Sequence, residues 1–337
     1  MPVTLKDIAN KLGVSPSTVS RALSGRGHIS LETRVSVLRI AEELGYVPDI
    51  LARGLVGAPT NILACLVLEL SNPFFVPVVQ AVEDIADEKS YIAIISESKR
   101  QLELEKRLIE RFRRIHVDGI IITPTMHSLD HLEAIKAGGT PIILVGRRYT
   151  RLDYITVDDV KGGRIAGQHL VGLGHTCIGT LSSGEPHNNA EQDRIGGFRQ
   201  VLDEAGLQFR EDWALEVGNN RIDGGALGAE RWLSMSERPS AIFALNDMLA
   251  IGFVHRLRQE GVRVPDDVAV VGFDDMPFAQ FCEVPLTTIA YPKYEMGRMA
   301  AEMLLERIQA FDRVQEVEHV LLQPKLVIRQ SCGARGA

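Results

Sequence analysis

Ser15, Ser17, Thr18 and Arg21 lie close together in the run SPSTVSRAL at residues 15–23. Their chemistry is non-covalent. Hydroxyls can bond phosphates or base edges, and a guanidinium can bond guanine through two donors. The elements that must carry them are two short helices around a tight turn. Thr4 and Asp7 form a capping box, in which Thr4 accepts from a backbone N–H and the carboxylate reaches back. Ile8, Ala9 and Leu12 share one helical face, and Gly13 ends that helix. Ser15 caps the next helix and Pro16 takes its first position, where a missing N–H is harmless. Val19, Ala22 and Leu23 face inward, while Ser17, Thr18, Ser20 and Arg21 face out. A helix of this kind after a glycine turn suits a DNA major groove. A plain helical hairpin is the alternative.

Other chemistries find little support. No G-x-G-x-x-G follows a strand, and G-x-x-x-x-G-K-[ST], G-x-S-x-G and H-E-x-x-H are absent. His127 and His131 could share a helical face, but they sit in a polar stretch with Asp130, which disfavours a metal pair. His175 near a helix end can favour the helix dipole. Cys65, Cys177, Cys282 and Cys332 are far apart and read as reduced thiols. No cofactor and no metal are expected.

The chain has 337 residues, more than one domain usually holds, with a net charge of −7. Residues 1–41 carry six basic and two acidic side chains, a net +4, which leaves −11 on the remainder. A basic head on an acidic body fits contact with nucleic acid at one end. No apolar stretch reaches membrane-spanning length, and the first residues lack a signal-peptide pattern, so a cytoplasmic protein is expected.

A third helix starts after Ser30 with Glu32 in its first turn. Val35, Leu38, Ala41 and Leu44 are its expected buried face, and Gly45 and Pro48 end it. ILARGL at residues 50–55 is too short to be helical alone and contains Gly54, so it reads as a hinge that needs a partner to order it. From residue 62 onward, apolar runs alternate with amphipathic helices. Strands are expected at 62–70, 91–96, 119–123, 141–146, 155–158, 177–182, 241–246, 268–273 and 287–291. Helices are expected at 78–89, 103–114, 163–173, 196–205, 247–260 and 294–310, with strand character at 320–331. Such alternation means parallel sheets covered on both faces, and the strand number suggests two lobes.

VTLKDIANKLGVSPSTVSRAL, TRVSVLRIAEELGYVPDILARGL, SNPFF, VDGIII, GHTCIG and VPDDVAVVGFDD resemble, in order, the LacI family of bacterial transcription regulators. The resemblance covers nearly the whole chain. It implies an all-α three-helix headpiece (helix-turn-helix) at 1–48, a hinge helix and linker at 49–60, and an α/β two-lobed, periplasmic-binding-protein-like domain with parallel sheets at 61–337. Lobe 1 would take about 61–159 and 292–321, and lobe 2 about 160–291 and 322–332. It also implies a dimer on a pseudo-palindromic operator, most often a repressor, governed by a small-molecule effector. A sugar or sugar derivative is the first choice. A protein co-effector, or a purine or nucleoside, is the alternative.

Matched position by position, Ser15, Ser17, Thr18 and Arg21 take DNA-contacting places, and Thr4 and His28 flank them. Pro16 departs from the family, since it can offer only apolar contact. Ala52 and Arg53 fall on the hinge, and Leu55 matches the leucine that wedges into the minor groove. Effector contacts would come from Asn72, Phe74, Phe75, Thr123, Thr125, Arg147, Asn189, Arg194, Asn246 and Asp274. For these the plain readings are Phe74 and Phe75 as core, and Asp158, Asp159 and Asp247 as helix caps. Arg194 and Asp274 have the least structural excuse. Arg147 and Arg194 together leave room for an anionic effector, unless Arg147 pairs with Asp158 or another acid.

Overall fold

The computed structural model describes residues 3–24, 29–46, 59–125, 129–185, 188–310 and 316–334. The chain divides into two compact units, residues 1–60 and 61–337.

In the first unit, α1 (Leu5–Leu12), α2 (Pro16–Ser24) and α3 (Leu31–Glu43) close on Ile8, Ala9, Val19, Ala22, Val37, Ile40 and Ala41. Gly13 ends α1 at φ 67°. The Ser15 hydroxyl accepts from the Thr18 N–H at 3.1 Å, and Ser30 does the same for Thr33 at 3.2 Å. At Thr4 the expected capping box is present. Both the Thr4 N–H and its hydroxyl donate to the Asp7 carboxylate, at 2.8 and 2.7 Å, and these bonds lower the Asp7 pKa. The face of α3 differs from expectation. Ala41 is buried as expected, but Val35 and Leu38 are 57% and 48% exposed, and Val37 and Ile40 are buried in their place. The helix carries apolar residues on two overlapping stripes, and packing against α1 and α2 selects one of them.

The second unit holds two six-stranded sheets. The first contains β1 (Ile62–Val67), β2 (Ile92–Glu97), β3 (Gly119–Ile122), β4 (Ile142–Val145) and β5 (Asp153–Val157), and is completed by β11 (His319–Leu322). Its order is β11-β5-β4-β3-β1-β2, parallel throughout. The second contains β6 (Ile178–Ser182), β7 (Ala214–Glu216), β8 (Ala241–Ala244), β9 (Ala269–Asp274) and β10 (Thr287–Ala290). There β12 (Lys325–Val327) pairs antiparallel with β10 at one edge. Leu63, Ala64, Cys65 and Leu66 of β1 are all buried, as strands covered by helices on both faces require.

The expected strand at 62–70 stops at Val67, and the single strand-like run 320–331 is two strands in different sheets. Three elements were not anticipated: β7, α6 (Asp130–Ala137) and α9 (Ile222–Ser234). The first two are short, and α9 is interrupted early by Gly224 and Gly225.

Around the first sheet lie α4 (Phe75–Glu88), α5 (Leu102–Arg114) and α11 (Lys293–Gln309), and around the second α7 (Asp159–Gly172), α8 (Asn189–Glu204) and α10 (Asp247–Gln259). The chain therefore passes between lobes near residues 158, 291 and 323. The helices α7 and α8 touch backbone to backbone. A methyl group on Gly163 would lie 1.9 Å from the Arg194 carbonyl oxygen, and one on Gly197 would lie 2.0 Å from that of Val160. No side chain fits either place, so both positions require glycine. Gly163→Ala is expected to lower stability by about 1–3 kcal/mol through overpacking. Denaturant unfolding that leaves the midpoint unchanged would show that the two helices can part freely.

Candidate functional site

In the headpiece, Ser15, Pro16, Ser17, Ser20 and Arg21 are exposed on one side, and Val19 and Ala22 are buried on the other. The Ser15 hydroxyl lies 2.8 Å from those of both Ser17 and Thr18. Arg21 Nε donates to the Ser17 carbonyl at 3.3 Å. Thr4 is exposed. The predicted face is therefore a polar, hydroxyl-rich surface ending in a guanidinium. His28, Ala52, Arg53 and Leu55 lie outside the described residues.

In the second unit, parallel strands end at a common cleft, where solutes bind in such sheets. Eight of the ten expected effector positions line it: Asn72, Phe74, Phe75, Thr123, Arg147, Arg194, Asn246 and Asp274. Thr125 and Asn189 do not. The Thr125 N–H and hydroxyl donate to the buried Glu105 carboxylate at 2.7 and 2.6 Å, and His131 meets the same group at 2.8 Å. His131 thus has a partner other than a metal, and His127 lies outside the described residues. At residue 189 the reading is one position off, because Asn188 faces the cleft.

Arg194 is the centre of the floor. Its Nε donates to Asp159 at 2.7 Å, its Nη1 to the Leu245 carbonyl, and its Nη2 lies 3.9 Å from Asp274. Its guanidinium stacks 3.6 Å over the Phe273 ring. So Arg194 and Asp274 have a structural reason after all: they neutralise each other and Asp159 in a buried cluster. Asp158 caps α7, accepting from the Lys161 N–H at 3.0 Å. Asp159 does not cap; burial raises its pKa to about 6 against the pull of Arg194. Burial likewise raises Asp274, with Arg194 and Lys293 opposing. Burial pulls Arg194 down, but Asp159 and Asp274 outweigh it and hold the pKa above its usual value. Asp274 sits at φ 113°, a conformation that costs a non-glycine residue energy. The Tyr291 hydroxyl donates to its carboxylate at 2.9 Å and Lys293 Nζ to its carbonyl.

The walls carry amides. Asn72 Oδ1 accepts from the Phe74 N–H at 3.0 Å, Asn188 Oδ1 from Arg147 at 3.4 Å, and Asn220 Oδ1 from Asn246 at 3.1 Å. The protein thus takes up these carbonyl oxygens, and the amide N–H groups of Asn72, Asn188 and Asn220 are available to the cleft. Phe75 is core, whereas Phe74 is part-exposed and packs edge-on against it at 4.7 Å. At the mouth, Arg221 pairs with Glu69 across the lobes at 2.6 Å, Arg100 with Glu185 at 3.5 Å, and Arg148 with Asp193.

Arg100, Asn188, Glu191, Asn220 and Tyr291 were missed by sequence reading. Tyr291 and Arg100 follow strands, so the rule that found Asn72 could have found them. Asn220 follows β7, a strand too short to be noticed. Glu191 is one turn before Arg194 on α8 and carried no signal of its own.

Two family signatures match parts of the chain. "Bacterial regulatory proteins, lacI family" matches residues 4–49, and "Periplasmic binding protein-like domain" matches residues 168–332. The HTH-type transcriptional repressor PurR of Vibrio parahaemolyticus is 35% identical over 331 residues, 97% of this chain and 98% of that protein. The chain belongs to the LacI family. It is a DNA-binding transcription regulator and not an enzyme. Among solved structures, the lac repressor dimer bound to operator and the anti-inducer ONPF is 27% identical with a TM-score of 0.84, covering 98% of this chain and 99% of that one. A LacI family regulator from Enterococcus faecium with bound ribose is 30% identical with a TM-score of 0.72, covering 82% and 100%. No described helix is long and apolar enough to cross a membrane.

One acid of this regulator stands behind the cleft. Asn246, not Asp247, caps α10, accepting from the Leu249 N–H at 2.8 Å. Asp247 is fully buried, bonded to the Thr288 hydroxyl at 2.6 Å and the Met276 N–H at 2.8 Å. Burial raises its pKa to about 8. The folded chain then binds a proton there that the unfolded chain has released, so stability falls as pH rises between about 4 and 8 and levels off above. Asp247→Asn can keep both hydrogen bonds without a charge. Compared with this variant, the natural protein is expected to lose stability across that window in chemical denaturation. Parallel curves from pH 4 to 8 would show that Asp247 is ionised throughout.

Proposed function

We propose that this regulator is a repressor that binds a pseudo-palindromic operator as a dimer and takes a neutral sugar or sugar derivative in its cleft. The observation that carries the effector reading is the pairing of amide donors with carboxylate acceptors beside an aromatic edge. Asn72, Asn188 and Asn220 offer N–H groups, while Asp274 and Glu191 offer oxygens next to Phe74. Hydroxyl groups, which donate and accept, match both kinds of wall. The lining carries three guanidiniums and three carboxylates, a balance that favours an uncharged ligand. The ribose-bound relative supports the same class. The exposed Phe74 edge, 6.3 Å from the Tyr291 ring, also suits a base ring, which keeps a nucleoside as the second reading.

On DNA, the two recognition helices of the dimer would sit one helical turn apart, about 34–36 Å. Ser15, Ser17, Thr18 and Thr4 would reach phosphates or base edges and Arg21 a guanine, with Pro16 offering apolar contact. His28 would hold the backbone. The hinge residues Ala52, Arg53 and Leu55 would enter the minor groove, with Leu55 as the wedge. Effector held by both lobes changes the balance between open and closed arrangements. A coupling of about 1–3 kcal/mol shifts operator affinity 5–150-fold.

A thermal-shift panel of pentoses, hexoses, disaccharides and nucleosides should yield a stabilising ligand, because ligand that binds only the folded state raises its melting temperature. Operator selected in vitro from random duplexes should be an inverted repeat. Arg21→Ala should weaken that operator about tenfold or more while leaving the ligand's Kd unchanged. Loss of both activities together would overturn the division of labour. Leu55→Ala should reduce specific binding more than binding to random DNA, and equal losses would rule out the wedge.

A further inference from the structure

The cleft contains three carboxylates, and two of them already answer to protein cations. Asp159 is paired with Arg194 at 2.7 Å, and Asp274 lies 3.9 Å from the same guanidinium and accepts from Tyr291. Glu191 differs in that no cation among the described residues bonds it directly, although Arg194 acts on it through space. It is 5% exposed and lines the cleft. Among the described residues its hydrogen bonds come from Ser183 alone, from the hydroxyl at 2.8 Å and the N–H at 3.4 Å. Burial raises its pKa, with the Ser183 bonds and the Arg194 charge opposing. A carboxylate has room for about four hydrogen bonds, so about half of this group's capacity is not used by the described residues. Leaving that capacity unused in a buried place is costly.

We infer that Glu191 is a specificity-determining residue, whose carboxylate accepts from a pair of hydroxyls on the effector and excludes ligands that carry an acid or phosphate at that end. This rests on the reading of the cleft as an effector site. Ser183 has a positioning role: it holds one edge of the carboxylate and turns the other toward the ligand. A sugar acid would bring a second negative charge beside Glu191 in a place of low dielectric, where like charges repel strongly. Asn188 already engages one of the Arg147 donors at 3.4 Å, which leaves Glu191 to face that end of the ligand. The cleft thus selects for neutral polyols despite its three arginines.

The test is calorimetry of the full chain against D-ribose, D-glucose, D-gluconate and D-glucose 6-phosphate, each with the natural protein, Glu191→Gln and Ser183→Ala. Glu191→Gln keeps the shape and removes the charge. It should bind the preferred neutral sugar at least about tenfold more weakly, as expected for loss of a charged acceptor. It should also bind the acid or phosphate more tightly than the natural protein does. Ser183→Ala keeps the charge and should keep the exclusion of anions, which separates a charge effect from local misfolding. A neutral sugar that binds Glu191→Gln as well as it binds the natural protein would overturn the assignment and leave the sugar reading standing. So would a natural protein that prefers gluconate or the phosphate to the parent sugar. If no pentose, hexose or disaccharide binds any of the three proteins, the sugar reading falls, and the role of Glu191 falls with it.

Discussion

The cleft of this regulator depends on one buried cation. Arg194 leaves α8, crosses the ends of β8 and β9, and meets Asp159 from the start of α7. A guanidinium in that place would be expensive alone, and so would either carboxylate. Together, with the Leu245 carbonyl and the Phe273 ring, they form a cluster that satisfies its charges internally. Its geometry requires α7 and α8 to lie in backbone contact, which Gly163 and Gly197 permit. Two residues with no side chain therefore set the distance at which an ion pair can form.

The chain passes between lobes near residues 158, 291 and 323, and Asp159 and Tyr291 stand beside two of these passages. Asp274 is held at an unfavourable φ by Tyr291 and Lys293, both at the start of the return path to the first lobe. Pairs at the mouth such as Arg221–Glu69 are half-exposed and individually weak. Such pairs cost little to break, whereas taking apart the buried Arg194 cluster would leave uncompensated charge. The cleft thus joins a tightly bonded floor to a weakly bonded rim.

Much of the architecture was legible because its causes are local. Gly13, Ser15 and Pro16 mark the turn and the start of α2 through backbone chemistry that needs no distant partner. Apolar runs such as 62–67 announce buried parallel strands, since both faces of each strand must be covered. Where two local patterns compete, reading fails. Helix α3 offers Val35 and Leu38 on one stripe and Val37 and Ile40 on another, with Ala41 shared between them, and only the neighbouring helices choose.

By itself the sequence determined most of the order of elements, through short-range periodicity and capping, and its resemblance to a family placed eight of the residues that face the cleft. Tertiary structure alone decided what those residues do there. Arg194 turned from a ligand-binding candidate into the partner of Asp159, and Asn246 took the cap expected of Asp247, which is a buried acid instead. Thr125 was drawn away to Glu105, and Glu191 emerged as the cleft carboxylate held by Ser183. The physical reason is that charge and hydrogen-bond capacity are shared among groups far apart in the chain. Which donors and acceptors remain for a ligand is known only after the fold has paired the others.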